Sequence, residues 1–111
     1  MYTVTNEKIA QLVDDIVKEV GPEAIYLFGS RARGDHQDLS DVDLLVIERE
    51  PFGEARSRNQ ELTKLYLLTM KYRMPVDILV YSRDEVDDWR TAPGHVITRA
   101  LSEGKVLYDA A

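Results

Sequence analysis

The 111-residue sequence contains no cysteine, which removes disulfides, thiolate zinc sites and a cysteine nucleophile together. It has no apolar run near the roughly 18 residues that would span a bilayer. Its opening Met1-Tyr2-Thr3-Val4-Thr5-Asn6-Glu7 lacks the layout of a signal peptide, so a cytoplasmic setting is expected. Neither a Gly-Lys-Ser/Thr phosphate loop nor a G-x-G-x-x-G fingerprint occurs. Positive charge is also short: 14 Lys and Arg stand against 20 Asp and Glu, a formal net charge of −6. Such an acidic surface repels a phosphate backbone and disfavours binding to duplex nucleic acid. Repeats, linkers and low-complexity stretches are missing too. What remains is an ordinary globular composition, 44% hydrophobic and 31% charged, expected to form one domain over residues 1–111.

The acidic excess lies in one half. Residues 1–50 carry five Lys or Arg against eleven Asp or Glu, whereas residues 51–111 carry nine of each. Within the first half, Ile9, Leu12, Val13, Ile16, Val17 and Val20 recur at the spacing of one helix face. They predict a helix over 6–20, capped by Thr5 or Asn6 and stopped by Gly21-Pro22. Ala24–Phe28 reads as an interior strand, and residues 29–34 as a break opening a short helix with Ser30 as its cap. Asp41–Ile47 predicts a second strand, acidic then apolar. A long helix is expected over 54–72, the main positive element, whose Arg56, Arg58 and Lys64 would be solvated, meet an acidic partner or steer ATP. Val76–Tyr81 predicts a third strand. Ser82 and Glu85 form a capping box for a helix through Trp89. A last helix with Pro93 near its first turn ends at Gly104, and Lys105–Tyr108 closes as a strand. This order predicts a mixed α/β or α+β domain with helices covering one face of a short mixed sheet.

Singly, the polar residues at the strand ends are unremarkable: a Gly-Ser pair after a strand is usually a turn, and an acid at a strand end usually pairs with an arginine. Their combination is more specific. Asp41 and Asp43, two apart on a strand, project to the same side. Such like charges raise each other's pKa unless a cation lies between them. Asp77, on a strand that could lie alongside, would add a third carboxylate and complete an oxygen-only site for a hard divalent ion such as Mg²⁺. Gly29 permits close backbone approach, and Ser30 offers a hydroxyl and helix amides to phosphate. Phosphate cradle and carboxylate cluster together are the parts of metal-assisted nucleotidyl or phosphoryl transfer. Arg31 and Arg33 would neutralise phosphate charge or pair with Asp35 or Asp38 across the loop. His36 reads as a polar-loop residue without a catalytic role, His95 as solvent-facing or partner-facing, and Trp89, Tyr81 and Tyr108 as the edge of the core rather than a base-stacking platform.

Gly29-Ser30, ten residues, then Asp41-x-Asp43 resembles the GS-x10-D-x-D signature of the nucleotidyltransferase superfamily that includes DNA polymerase β. The fuller strings Gly29–Gly34 and Ser40–Val46, together with Val76–Val80 and Glu103–Tyr108, resemble the minimal nucleotidyltransferase (MNT) group. The likeness spans about residues 8–108. It implies the minimal nucleotidyltransferase fold, with Asp41, Asp43 and Asp77 as catalytic residues holding two Mg²⁺ ions. It also implies that Gly29, Ser30 and Arg33 bind the nucleotide, Ser30 contacting the β- and γ-phosphates.

The same resemblance implies a biological setting. Many MNT proteins are antitoxins paired with HEPN-domain RNase toxins and transfer AMP from ATP to a tyrosine hydroxyl of the toxin. Larger superfamily members hold their acceptor on an additional domain. With only 111 residues, the acceptor here is expected on another chain. Two alternatives stay open: a module that neutralises its partner by contact without catalysis, and nucleotidyl transfer to a small molecule such as an aminoglycoside, which would need a second chain or a homo-oligomer.

Overall fold

The computed structural model describes residues 3–36 and 40–110. The first helix, α1 (Asn6–Val20), begins where the Thr5 hydroxyl accepts a hydrogen bond from the Lys8 amide and ends on Gly21 in the left-handed conformation. Its apolar stripe buries Ile9, Leu12, Val13 and Ile16. Strand β1 (Ala24–Phe28) follows and runs directly into a short helix, α2 (Gly29–Arg33). Strand β2 (Val42–Glu48) comes next. A later helix, α3 (Arg58–Thr69), is extended by a 3₁₀ turn, Met70–Tyr72. Strand β3 (Val76–Ser82) precedes helices α4 (Arg83–Trp89) and α5 (Val96–Glu103), and strand β4 (Lys105–Asp109) closes the fold.

The strands form one mixed sheet in the order β3-β2-β1-β4, with β2 parallel to β3 and β1 antiparallel to both β2 and β4. The expected single helical layer becomes two. α1 and α3 pack over Ile25, Leu27, Leu44, Val46, Ile78 and Val80. On the opposite face Leu45, Ile47 and Ala24 meet Val86 of α4 and Ile97 and Ala100 of α5. The reason is in β1 and β2, whose side chains are apolar at most positions, so neither face can be left to water. Among the described residues no helix is long and apolar enough to cross a membrane.

Several expected boundaries move: the second strand runs Val42–Glu48 rather than from Asp41, which falls just before it. Ser30 does not cap α2: Phe28 occupies that position without a side-chain cap, and Ser30 lies inside the helix. The long helix starts at Arg58 rather than 54, because Gly53 and Arg56 pair as a bridge and the Ser57 hydroxyl accepts from the Gln60 amide to cap the helix. Pro93 precedes α5, whose cap is His95, its Nδ1 accepting from the Ile97 amide at 3.1 Å. The capping box of Ser82 and Glu85 is present as expected.

Candidate active site

Strand pairing decides which acids meet. In the parallel register of β2 and β3, Asp43 stands opposite Asp77, and in the antiparallel register with β1 it stands opposite Phe28, the residue before Gly29. Asp41 lies just before β2 and is exposed. Residues 41, 43 and 77 thus gather at one end of the sheet, with the β1–α2 junction beside them.

Gly29 has φ +73°, in the left-handed region, and a β-carbon there would overlap Asp43 Oδ2 and come within 3.2 Å of its carboxyl carbon. Only glycine lets the β1–α2 turn close this far onto the carboxylate. Burial first, then the charges of Asp77 and Asp41, push the Asp43 carboxyl up to about 6, against an opposing pull from Arg33. An acid destabilised in its charged form by two neighbouring carboxylates is chemically suited to a cation. The oxygen-only donor set fits a hard divalent ion. The expected ligand set is nevertheless not closed: among the described residues no three His, Cys, Asp or Glu side chains converge tightly enough to hold an ion as they stand.

Asp77 has a partner of a kind the sequence did not foretell. It is exposed at the second residue of β3, and in place of an arginine it receives the Tyr66 hydroxyl, which donates to Oδ1 at 3.0 Å. Burial above all holds that phenol above the ordinary tyrosine value. Tyr66 comes from α3, eleven residues before Asp77 and without a motif to announce it; its place in the apolar later half of that helix reads as core.

The arginines divide. Arg33 pairs with Asp35 at 3.2 Å and reaches Glu103 at 3.5 Å, all three half-exposed. The other proposed pairing residue, Asp38, lies outside the described residues. Arg31 Nε donates to the Ser40 carbonyl at 3.0 Å, bracing the segment that leads to Asp41. His36 is exposed in a loop. His95 stacks on Trp89 with ring centroids 4.6 Å apart, and Tyr81 meets it edge-on.

The basic residues expected to be solvated or to steer ATP are committed internally. Arg56 binds Glu48 and, at 3.3 Å, Glu61, while packing over Phe52. Arg58 binds Glu85 and donates to the Val80 carbonyl at 2.7 Å. Lys64 lies 3.5 Å from Glu61. Glu48 is 4% exposed; burial, and then its hydrogen bond with Glu61, push it up to about 8 despite Arg56. Glu61 is raised by burial but lowered further by that bond and by Lys64 and Arg56. Glu48 is therefore the more basic of the two acids.

The mixed sheet thus closes a Gly-Ser turn onto a strand-borne acid, with a second acid in register beside it, the arrangement expected of the candidate site. The sequence profile described as "Polymerase beta, Nucleotidyltransferase" matches residues 7–111. The chain belongs to that family and is a nucleotidyltransferase. MJ0141 of Methanocaldococcus jannaschii, named provisionally as a protein adenylyltransferase, is 28% identical over 79 residues, 66% of this chain and 75% of that protein. Three solved structures share the fold. One, provisionally described as a nucleotidyltransferase from Sulfolobus solfataricus, has a TM-score of 0.59 at 24% identity, over 94% of this chain and 79% of the other. A toxin–antitoxin complex with AMP-PNP has a TM-score of 0.58 at 22% identity, over 90% and 73%. A variant of the toxin–antitoxin MntA–HpeT has a TM-score of 0.61 at 23% identity, over 96% and 73%.

Proposed function

We propose that this nucleotidyltransferase moves AMP from ATP to a tyrosine hydroxyl of a HEPN-type RNase partner and acts as that partner's antitoxin in the cytoplasm. The observation that carries the catalytic half is the register of Asp43 against Asp77 with Gly29 folded onto Asp43. The antitoxin half is supported by the resemblance of the motifs to MNT proteins, by the relative named for protein adenylylation, and by toxin–antitoxin assemblies with the same fold.

Asp41, Asp43 and Asp77 would hold Mg²⁺, two ions being expected. Bound there, Mg²⁺ supplies charge neutralisation at the phosphates and at the attacking and leaving oxygens. The chain's own groups do the rest. Asp77 takes the proton of the acceptor hydroxyl. Gly29 lets the backbone approach the triphosphate, and Ser30 offers its hydroxyl to the departing pyrophosphate. Arg33 sits at the mouth of the site, where its exposed ion pairs can be exchanged for phosphate at little cost.

The test is to incubate the product of the neighbouring gene with this protein, ATP and Mg²⁺, and to weigh it beside an Asp41→Asn/Asp43→Asn control. An AMP adduct on tyrosine that the control lacks supports the reading. A tight complex that silences the partner with no adduct overturns the catalytic half and leaves an antitoxin that works by contact. A labelled small-molecule acceptor such as an aminoglycoside, modified where the partner is not, overturns the protein acceptor.

A further inference from the structure

We infer that Tyr66 is a positioning residue for Asp77, holding one carboxylate oxygen so that the other is presented to the site. The inference rests on the assignment of Asp77 proposed above.

Among the described residues β3 is an edge strand, paired with β2 on one side only. Its outer edge is covered by polar side chains from α3, and Arg58 caps the Val80 carbonyl at 2.7 Å. Two residues earlier the Ile78 amide donates to the Tyr66 hydroxyl at 2.8 Å. With that lone pair engaged, the phenolic hydrogen is aimed at Asp77 Oδ1 at 3.0 Å rather than at the Ile78 carbonyl, 3.5 Å away.

The path of this contact matters. α3 packs against the face of the sheet lined by Ile78 and Val80. Asp77 alternates with those residues and therefore points to the other face, as Asp43 does. The Tyr66 ring thus passes around the free edge of β3 to reach an acid on the opposite side. A hydroxyl serving only as an edge cap would have no need of the carboxylate. One serving only the carboxylate would not be fixed by the Ile78 amide. The backbone bond sets the hydroxyl, and the hydroxyl sets the carboxylate.

An exposed aspartate otherwise rotates freely, and restraining it from outside the ligand set is how outer partners tune metal sites. Loss of such a partner lowers metal affinity or activity about ten- to a hundredfold.

Tyr66→Phe keeps the ring and removes the hydroxyl. Mn²⁺ titration and melting temperature, measured on the wild type, Tyr66→Phe, Asp77→Asn and the double variant, separate positioning from packing. Positioning predicts Mn²⁺ affinity and kcat at least about tenfold lower in Tyr66→Phe, with KM for ATP unchanged and no further loss of Mn²⁺ affinity when the change is added to Asp77→Asn. Tyr66→Phe that melts lower yet binds Mn²⁺ and turns over as the wild type does would overturn the inference, leaving Tyr66 an edge cap. A wild-type chain that binds no Mn²⁺ overturns both this inference and the metal site it rests on.

Discussion

Gly29 closes on Asp43 so tightly that no side chain fits between them. Gly29→Ala must therefore either move the carboxylate or open the β1–α2 turn, and it also forces a β-carbon into the left-handed region. The left-handed backbone alone costs about 1–2 kcal/mol. Chemical denaturation is expected to show a loss of roughly 1–3 kcal/mol, and nucleotidyl transfer a larger proportional drop. Wild-type stability would contradict the packing described.

Asp43→Asn separates stability from catalysis. The neutral amide relieves repulsion from Asp77 and Asp41, so the metal-free variant is expected to melt above the wild type. Added Mg²⁺ should raise the wild-type melting temperature and leave the variant unmoved. Transfer activity should fall at least about a hundredfold. Thermal melts with and without Mg²⁺, alongside an ATP turnover assay, check all three.

Arg33→Ala addresses the nucleotide. Its partners Asp35 and Glu103 are exposed, and such pairs contribute little, so stability should hardly change. KM for ATP should rise several-fold with kcat less affected. An unchanged KM would remove Arg33 from the nucleotide site.

Glu48 predicts a pH dependence away from the acids of the candidate site. Its folded pKa, about 8, lies above the ordinary glutamate value of 4.5. The stabilisation is therefore fully present below about 4.5 and lost as pH rises through about 8. The melting temperature should be lower at pH 9 than at pH 6.5. Glu48→Gln, which mimics the protonated acid, should flatten that slope. A wild-type protein equally stable at both pH values would refute the raised Glu48 pKa.

Much of this architecture is legible in the sequence because it is local. The stripe from Ile9 to Val20, the capping box of Ser82 and Glu85, and the glycines after α1 and α5 each act within a few residues, and α1, α4 and the end of α5 stand where these signals place them. The acids of the candidate site are legible as residues and as possible neighbours, but not in their register. That Asp43 meets Asp77 follows from β3 lying parallel beside β2, a choice made by packing across some thirty residues. The helix beginning at Arg58 was misjudged because the Gly53–Arg56 bridge diverts Arg56 inward to Glu48. Ser30 failed as a cap because Gly29, left-handed, starts the turn one residue earlier. Tyr66 carried no signal at all: its role depends on a path around a sheet edge.

The order of strands also sets a hierarchy of motion. Asp43 rides on β2, hydrogen-bonded on both sides, whereas Asp77 rides on β3, which has a strand on one side only. Local opening in folded proteins begins at such margins and spares central strands. Amide hydrogen exchange should accordingly be slowest around Asp43 and faster around Asp77. One carboxylate is anchored to the most persistent part of the molecule and its opposite number to a strand that can fray, so the two can separate without the domain unfolding.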